Sequence, residues 1–97
     1  MVHRTVEITN ALGLHLRAAA LLVKKASEFE SDIEIRKNQT IVDAKSIMAV
    51  LGLEASRGSE LEITAEGKDE EAAMKQLVGL VEKKFYEEEW EGRERED

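Results

Sequence analysis

At 97 residues, 42% of them apolar and 36% charged, the chain is long enough for one compact domain with one core and too short for two. Its 21 acidic against 14 basic side chains leave a formal net charge of −7, so gripping nucleic acid or an anionic membrane would need a local basic patch, and the sequence has no long basic run. The absence of cysteine excludes disulfides, thiolate metal sites and cysteine nucleophiles; only His3 and His15 remain as imidazole ligands, with no shared helical face, which argues against catalytic zinc.

Val2 to Thr9 alternates, with Val2, Val6 and Ile8 on one side and His3, Thr5 and Glu7 on the other, the period of a half-buried strand. Asn10 to Leu14 breaks the pattern, helped by Gly13. From Leu16 a helical period takes over to about residue 28, with an expected inward stripe of Leu16, Ala19, Ala20, Val23 and Ser27. Asp32 to Arg36 and Gln39 to Val42 read as two short strands joined by a tight turn at Lys37 and Asn38.

Ser46 stands directly before Ile47, Met48, Val50 and Leu51 and reads as the N-cap of a short helix, its hydroxyl taking an orphan N–H of the first turn. Glu60 to Glu66 alternates as a fourth strand and Gly67 closes it. Asp69 is a good N-cap for a last helix with the stripe Ala73, Leu77, Leu80, Val81 and Phe85. This order predicts an α+β fold, a four-stranded antiparallel sheet with three helices on one face. The other face, with Thr5, Glu7, Glu34, Glu62 and Thr64, would meet water.

Residues 87 to 97, EEEWEGRERED, hold seven carboxylates, two arginines and one tryptophan, and read as a solvated, mobile tail following a domain of residues 1 to 86. Trp90 is the one side chain there able to fold back on the domain. The longest apolar run, Ala18 to Val23, is far too short to span a bilayer, and the N-terminus lacks the basic-then-apolar order of a signal peptide. A cytoplasmic protein with no membrane insertion, no nucleic-acid partner, no metal and no cofactor is the expectation.

Chemistry concentrates in GLHLRAAA, residues 13 to 20. His15 falls at the start of the first helix, where the backbone N–H groups of Leu16, Arg17 and Ala18 have no intrahelical acceptor. Those donors, with the positive end of the helix dipole, form an anion site. An imidazole there offers a nucleophilic nitrogen, and the planar fork of Arg17 suits phosphate oxygens. Nucleophile, oxyanion donors and cation are the parts phosphoryl transfer needs, because that step is mostly positioning and charge stabilisation. The bland alternative is a surface histidine beside a solvated arginine.

GLHLRAAA resembles the signature GLHxRPAA of the histidine-containing phosphocarrier proteins, HPr, of the bacterial phosphoenolpyruvate-dependent sugar phosphotransferase system. VDAKSIMAVLGLEASRG at 42 to 58 is similar to that family's regulatory-serine region, and ITAEGKDEEAA at 63 to 73 to its last strand and helix start. The resemblance runs from about residue 2 to 86 in one register. It implies the open-faced β-sandwich fold of HPr and a carrier that is not itself an enzyme: His15 accepts a phosphoryl group on Nδ1 from phosphorylated enzyme I and hands it to enzyme II A domains during sugar transport.

By the same implication Arg17 and the backbone of Leu16, Arg17 and Ala18 steady the phosphate, and Ile47, Met48 and Leu51 form the docking surface, with Met48 the most adaptable contact; the alternative is that Ile47 and Leu51 belong to the core. Ser46 is implied as a regulatory phosphorylation site for an HPr serine kinase/phosphorylase, linked to carbon catabolite regulation through a transcriptional regulator. A monomer is expected. Two positions depart from the pattern. Ala18 replaces a proline, which returns one N–H donor to the first turn or loosens it, and Leu16 enlarges the residue beside the imidazole. Two alternatives stay open: a regulatory or nitrogen-branch paralogue acting mainly through protein binding, and a non-catalytic anion-binding interaction module.

Overall fold

A computed structural model describes residues 1–87. Strand β1 (Val2–Glu7), helix α1 (Leu16–Ala26), strands β2 (Asp32–Lys37) and β3 (Thr40–Asp43), helix α2 (Ile47–Leu51), strand β4 (Glu60–Glu66) and helix α3 (Glu70–Glu82) follow in chain order. The four strands form one antiparallel sheet in the order β1-β4-β2-β3. The expected open-faced sandwich is what forms. β4, the last strand made, fills the slot between β1 and β2, pairing Val6 with Leu61 on one side and Ile35 with Ile63 on the other.

Alternation decides which sheet face is covered. Val6, Ile33, Ile35, Leu61, Ile63 and Ala65 point into the core, where Leu22 of α1 and Leu77 of α3 meet them, all 9% exposed or less. Thr5, Glu7 and Glu34 on the opposite face are exposed, and Glu62 and Thr64 partly so. Burying an apolar face of this size supplies most of the folding free energy, at roughly 25 cal/mol per Å² removed from water.

Several elements lie differently from their sequence reading, each for a local reason. The hairpin turns on Asn38 and Gln39, one residue later than expected, because Lys37 still pairs with Thr40 and Asn38 supplies the left-handed backbone (φ 56°) that asparagine tolerates. Helix α1 ends at Ala26 and is rotated from the expected stripe: Ala18, Ala19, Leu22 and Ala26 are buried, while Leu16 is 62% exposed and Ser27 lies on the surface. Apolar residues run almost all the way round this helix, so periodicity alone had little to discriminate.

Asp69 occupies the N-cap position of α3 but makes no side-chain cap. Its carboxylate turns instead to the loop before β2, accepting the N–H of Glu30 (2.8 Å), the N–H of Ser31 (3.0 Å) and the Ser31 hydroxyl. Those bonds, the Ser31 hydroxyl first, hold the Asp69 carboxyl below the usual carboxylate value. Phe85, expected on the stripe of the last helix, lies beyond its end in a turn where Lys84, Phe85 and Tyr86 all have positive φ (56°, 55° and 58°). It is nonetheless fully buried. No helix among the described residues is long and apolar enough to cross a membrane.

Candidate functional site

The loop between β1 and α1 is built to hold its shape. Ile8 extends the strand pairing, its N–H bonding Ser59 O (2.8 Å) and its carbonyl accepting from Gly58 (2.7 Å). Gly13 N–H then closes a turn on Asn10 O (3.2 Å), and Leu14 N–H reaches Ala55 O (2.8 Å). At Gly13 φ is +70°, and a Cβ there would sit 2.8 Å from Ala55 O and 2.9 Å from Ser56 Cα, so only glycine fits so close to the neighbouring backbone. Helix α1 begins directly after this clamp.

His15 is its N-cap residue, extended in backbone (φ −77°, ψ −178°), and its imidazole makes no capping hydrogen bond. The first intrahelical bond runs from Ala19 N–H to the His15 carbonyl (2.8 Å), so the N–H groups of Leu16, Arg17 and Ala18 all lie ahead of it, as the sequence predicts. The His15 side chain is 28% exposed, and Arg17 is exposed in the same helical turn. Ala18, where the resembled signature has a proline, is fully buried.

Two residues that sequence reasoning passed over complete the loop. Asn10, 1% exposed, donates through Nδ2 to Gly13 O (2.7 Å) and to Glu87 Oε1 (3.0 Å). Glu87, read from composition as the start of the tail, is 5% exposed. Its carboxylate accepts the Ala11 N–H on Oε2 (2.9 Å) and the Leu12 N–H on Oε1 (3.0 Å), and Oε1 lies 3.8 Å from His15 Nε2.

Burial works to raise the pKa of Glu87, but the bonds from Asn10, Leu12 and Ala11 and the nearness of His15 outweigh it and hold the carboxyl below its usual value. The remainder of the tail, including Trp90, lies outside the described residues. The one sequence signal for this docking was Phe85, whose helical spacing implied that the chain stays on the core almost to Glu87.

The depressed carboxyls of Asp69 and Glu87 set a pH dependence. Each binds its proton more weakly in the folded than in the unfolded chain, so its stabilisation is fully present above the unfolded value near pH 4 and is lost as pH falls through the lower folded value. Urea midpoints are therefore expected to hold steady from pH 7 to about 5 and drop below about 4. An Asp69→Asn, Glu87→Gln double variant should show a shallower acid limb.

Ser46 caps α2 as expected: it is partly exposed, and its Oγ accepts the Ala49 N–H at 3.3 Å. Ser46→Ala should lower unfolding stability by about 1 kcal/mol in a denaturant titration, the usual worth of such a cap. On α2, Met48 stands 75% exposed, whereas Ile47 and Leu51 are half-buried against the core, so only part of that expected apolar group faces outward. Leu12 (59% exposed) and Leu16 add apolar surface on either side of His15 in the chain. A concavity of about 420 Å³ lies between β1 and α3, lined by Val2, Arg4, Met74 and Val78 among others; no residue of the His15 loop lines it. The described residues include no cluster of carboxylates and histidines suited to a metal ion.

Comparison with known proteins bears on this loop and on the fold around it. Residues 2–83 match the family model described as the PTS HPr component phosphorylation site. The chain belongs to the HPr family. It is similar to the phosphocarrier protein HPr of Treponema pallidum (strain Nichols), 47% identical over 88 residues that span 91% of this chain and 100% of that one. Among solved structures it resembles HPr from Thermoanaerobacter tengcongensis at 49% identity and a TM-score of 0.85, covering 88% of this chain and 96% of that one. It also resembles the Bacillus subtilis catabolite repression protein Crh, 40% identical with a TM-score of 0.69 over 86% of this chain and 95% of that one, whose crystal structure is a dimer with a swapping domain. The stretch matched to the HPr model contains both His15 and Ser46.

Proposed function

We propose that this HPr-family chain is a phosphoryl carrier that accepts the group on His15 Nδ1 from phosphorylated enzyme I and passes it to enzyme II A domains in sugar uptake. The observation that carries the reading is the position of His15: it is the N-cap residue of α1, its ring is not used as a cap, and three backbone donors follow it ahead of the first helical bond. A phosphoryl group on that ring meets N–H groups and a helix dipole of the right sign. Arg17 adds a planar cation to the same turn. The protein supplies position and charge and turns nothing over on its own, which makes it a carrier rather than an enzyme.

Leu16, Met48 and the outward parts of Ile47 and Leu51 form the apolar surface that docks the partner enzymes. A monomer suits alternation between such partners. Ser46 is a second modification site, for an ATP-dependent serine kinase: a phosphate there would add nearly two negative charges beside α2 and oppose docking of acidic partner surfaces. The similarity to a catabolite repression protein favours a second reading in which the main role is regulatory, and Ser46 is where we place that role.

Incubation with phosphoenolpyruvate and a cognate enzyme I, followed by intact mass, tests the carrier reading. One acid-labile phosphoryl adduct is expected; its absence sinks the proposal. An acid-stable adduct formed only with ATP and kinase, and lost in Ser46→Ala, would transfer the main role to Ser46.

A further inference from the structure

The C-terminal end of α3 does something that helix packing does not require. Three successive non-glycine residues, Lys84, Phe85 and Tyr86, take left-handed backbone angles, a conformation that persists only where the surroundings over-determine it. Phe85 is sealed in the core, and the residue delivered next is Glu87, whose carboxylate is buried against the loop that carries His15. Oε1 already accepts two hydrogen bonds, from Asn10 Nδ2 and Leu12 N–H, and faces His15 Nε2 at 3.8 Å. At that distance the interaction with the ring is one of charge rather than a hydrogen bond.

We infer that Glu87 is a positioning residue for phosphoryl transfer, its buried carboxylate keeping a proton on His15 Nε2 so that Nδ1 presents the lone pair. This rests on the carrier reading above. A carboxylate facing Nε2 repels a lone pair and attracts an N–H, so the ring is held in the Nε2–H form. On acceptance, the Nδ1 lone pair forms the bond to phosphorus while the bond from phosphorus to the donor atom of enzyme I breaks, its electron pair returning to that atom. The His15 ring then carries a positive charge with its proton still on Nε2, opposite the Glu87 carboxylate.

On donation, a nucleophile of the enzyme II A domain forms the bond to phosphorus while the bond from phosphorus to Nδ1 breaks, the pair returns to Nδ1, and a neutral imidazole with its Nε2 proton is restored. No proton moves to or from Glu87 in either direction. The carboxylate stabilises the cationic ring of the phosphorylated state, so it favours acceptance and holds the group until a partner takes it. The three donors on the carboxylate keep it fixed, so the site needs no rearrangement when charge appears on the ring.

The full-length chain tests this with two readouts. Nitrogen-15 spectra of the unphosphorylated protein above the imidazole titration report the His15 tautomer without any partner enzyme. The wild type is expected to be mainly Nε2–H; a mainly Nδ1–H ring would overturn the proposal whatever the variants do. Glu87→Gln removes the charge and keeps one of the two acceptor oxygens, so part of the loop's bonding survives. It should lower the melting temperature by a few degrees, lower the Nε2–H share, and slow acceptance about tenfold while leaving donation no slower than in the wild type.

Unchanged tautomer and rates in Glu87→Gln, with a defect confined to Glu87→Ala, would reduce Glu87 to a structural latch and overturn the inference. If the wild type accepts no phosphoryl group at all, the carrier reading fails, and the tautomer measurement still decides the role of Glu87.

Discussion

A His15→Ala chain is expected to take up no phosphoryl group from phosphoenolpyruvate and enzyme I, and to melt within a few degrees of the wild type. The two halves of this result follow from one geometric fact. The imidazole sits at the N-cap of α1 without capping it, so its removal costs the helix little, while the loop keeps its clamp through Asn10, Gly13 and Leu14. Alanine leaves the backbone donors of Leu16, Arg17 and Ala18 in place, and backbone donors at a helix start attract an anion but cannot hold one covalently. Intact mass gives the adduct and a calorimetric scan gives the stability. An acid-labile adduct on the alanine variant would move the acceptor elsewhere.

Phe85→Ala should have the largest effect on stability. The ring is fully buried beyond the end of α3, and emptying such a site costs about 3–5 kcal/mol, a large share of a small domain's total. A fall in melting temperature of roughly 15 °C or more would accompany it. The consequence reaches further than the core. With its anchor gone, the turn at Lys84 to Tyr86 can relax from its left-handed angles, strain of about 1–3 kcal/mol at each residue, and Glu87 withdraws from Asn10, Ala11 and Leu12. Phosphoryl acceptance should therefore fall even below the melting transition. Phe85→Leu, which keeps most of the buried volume, is expected to restore both; rescue of stability without rescue of acceptance would uncouple the anchor from the site.

All four strands were legible in the sequence because their periods were clean. Ile33 and Ile35, or Leu61, Ile63 and Ala65, alternate with charged or polar neighbours, and a period of two has one interpretation when a face must be buried. α1 was misread in detail because LRAAALLVKKA is apolar on most sides, and its buried stripe is chosen by what it packs against. Asp69 illustrates a further limit. A carboxylate before a helix has a local use as a cap, but a loop almost forty residues earlier in the chain offered it two N–H groups and a hydroxyl. The local option lost to a non-local one that no window of sequence contains.

By itself, then, the chain's sequence determined the order and type of its elements, the N-cap at Ser46, and the placing of His15 and Arg17 at a helix start, all of which depend on neighbours a few residues away. Only the tertiary structure decided that β4 enters between β1 and β2, that Gly13 is pressed against the backbone of Ala55 and Ser56, and that Glu87 belongs beside His15. The reason is the range of the forces involved. Propensity, capping and periodicity act within one or two turns, whereas a buried carboxylate is stable only where distant segments happen to supply its hydrogen bonds. Glu87 finds them on residues 10 to 12, and its place in an acidic run says nothing about that.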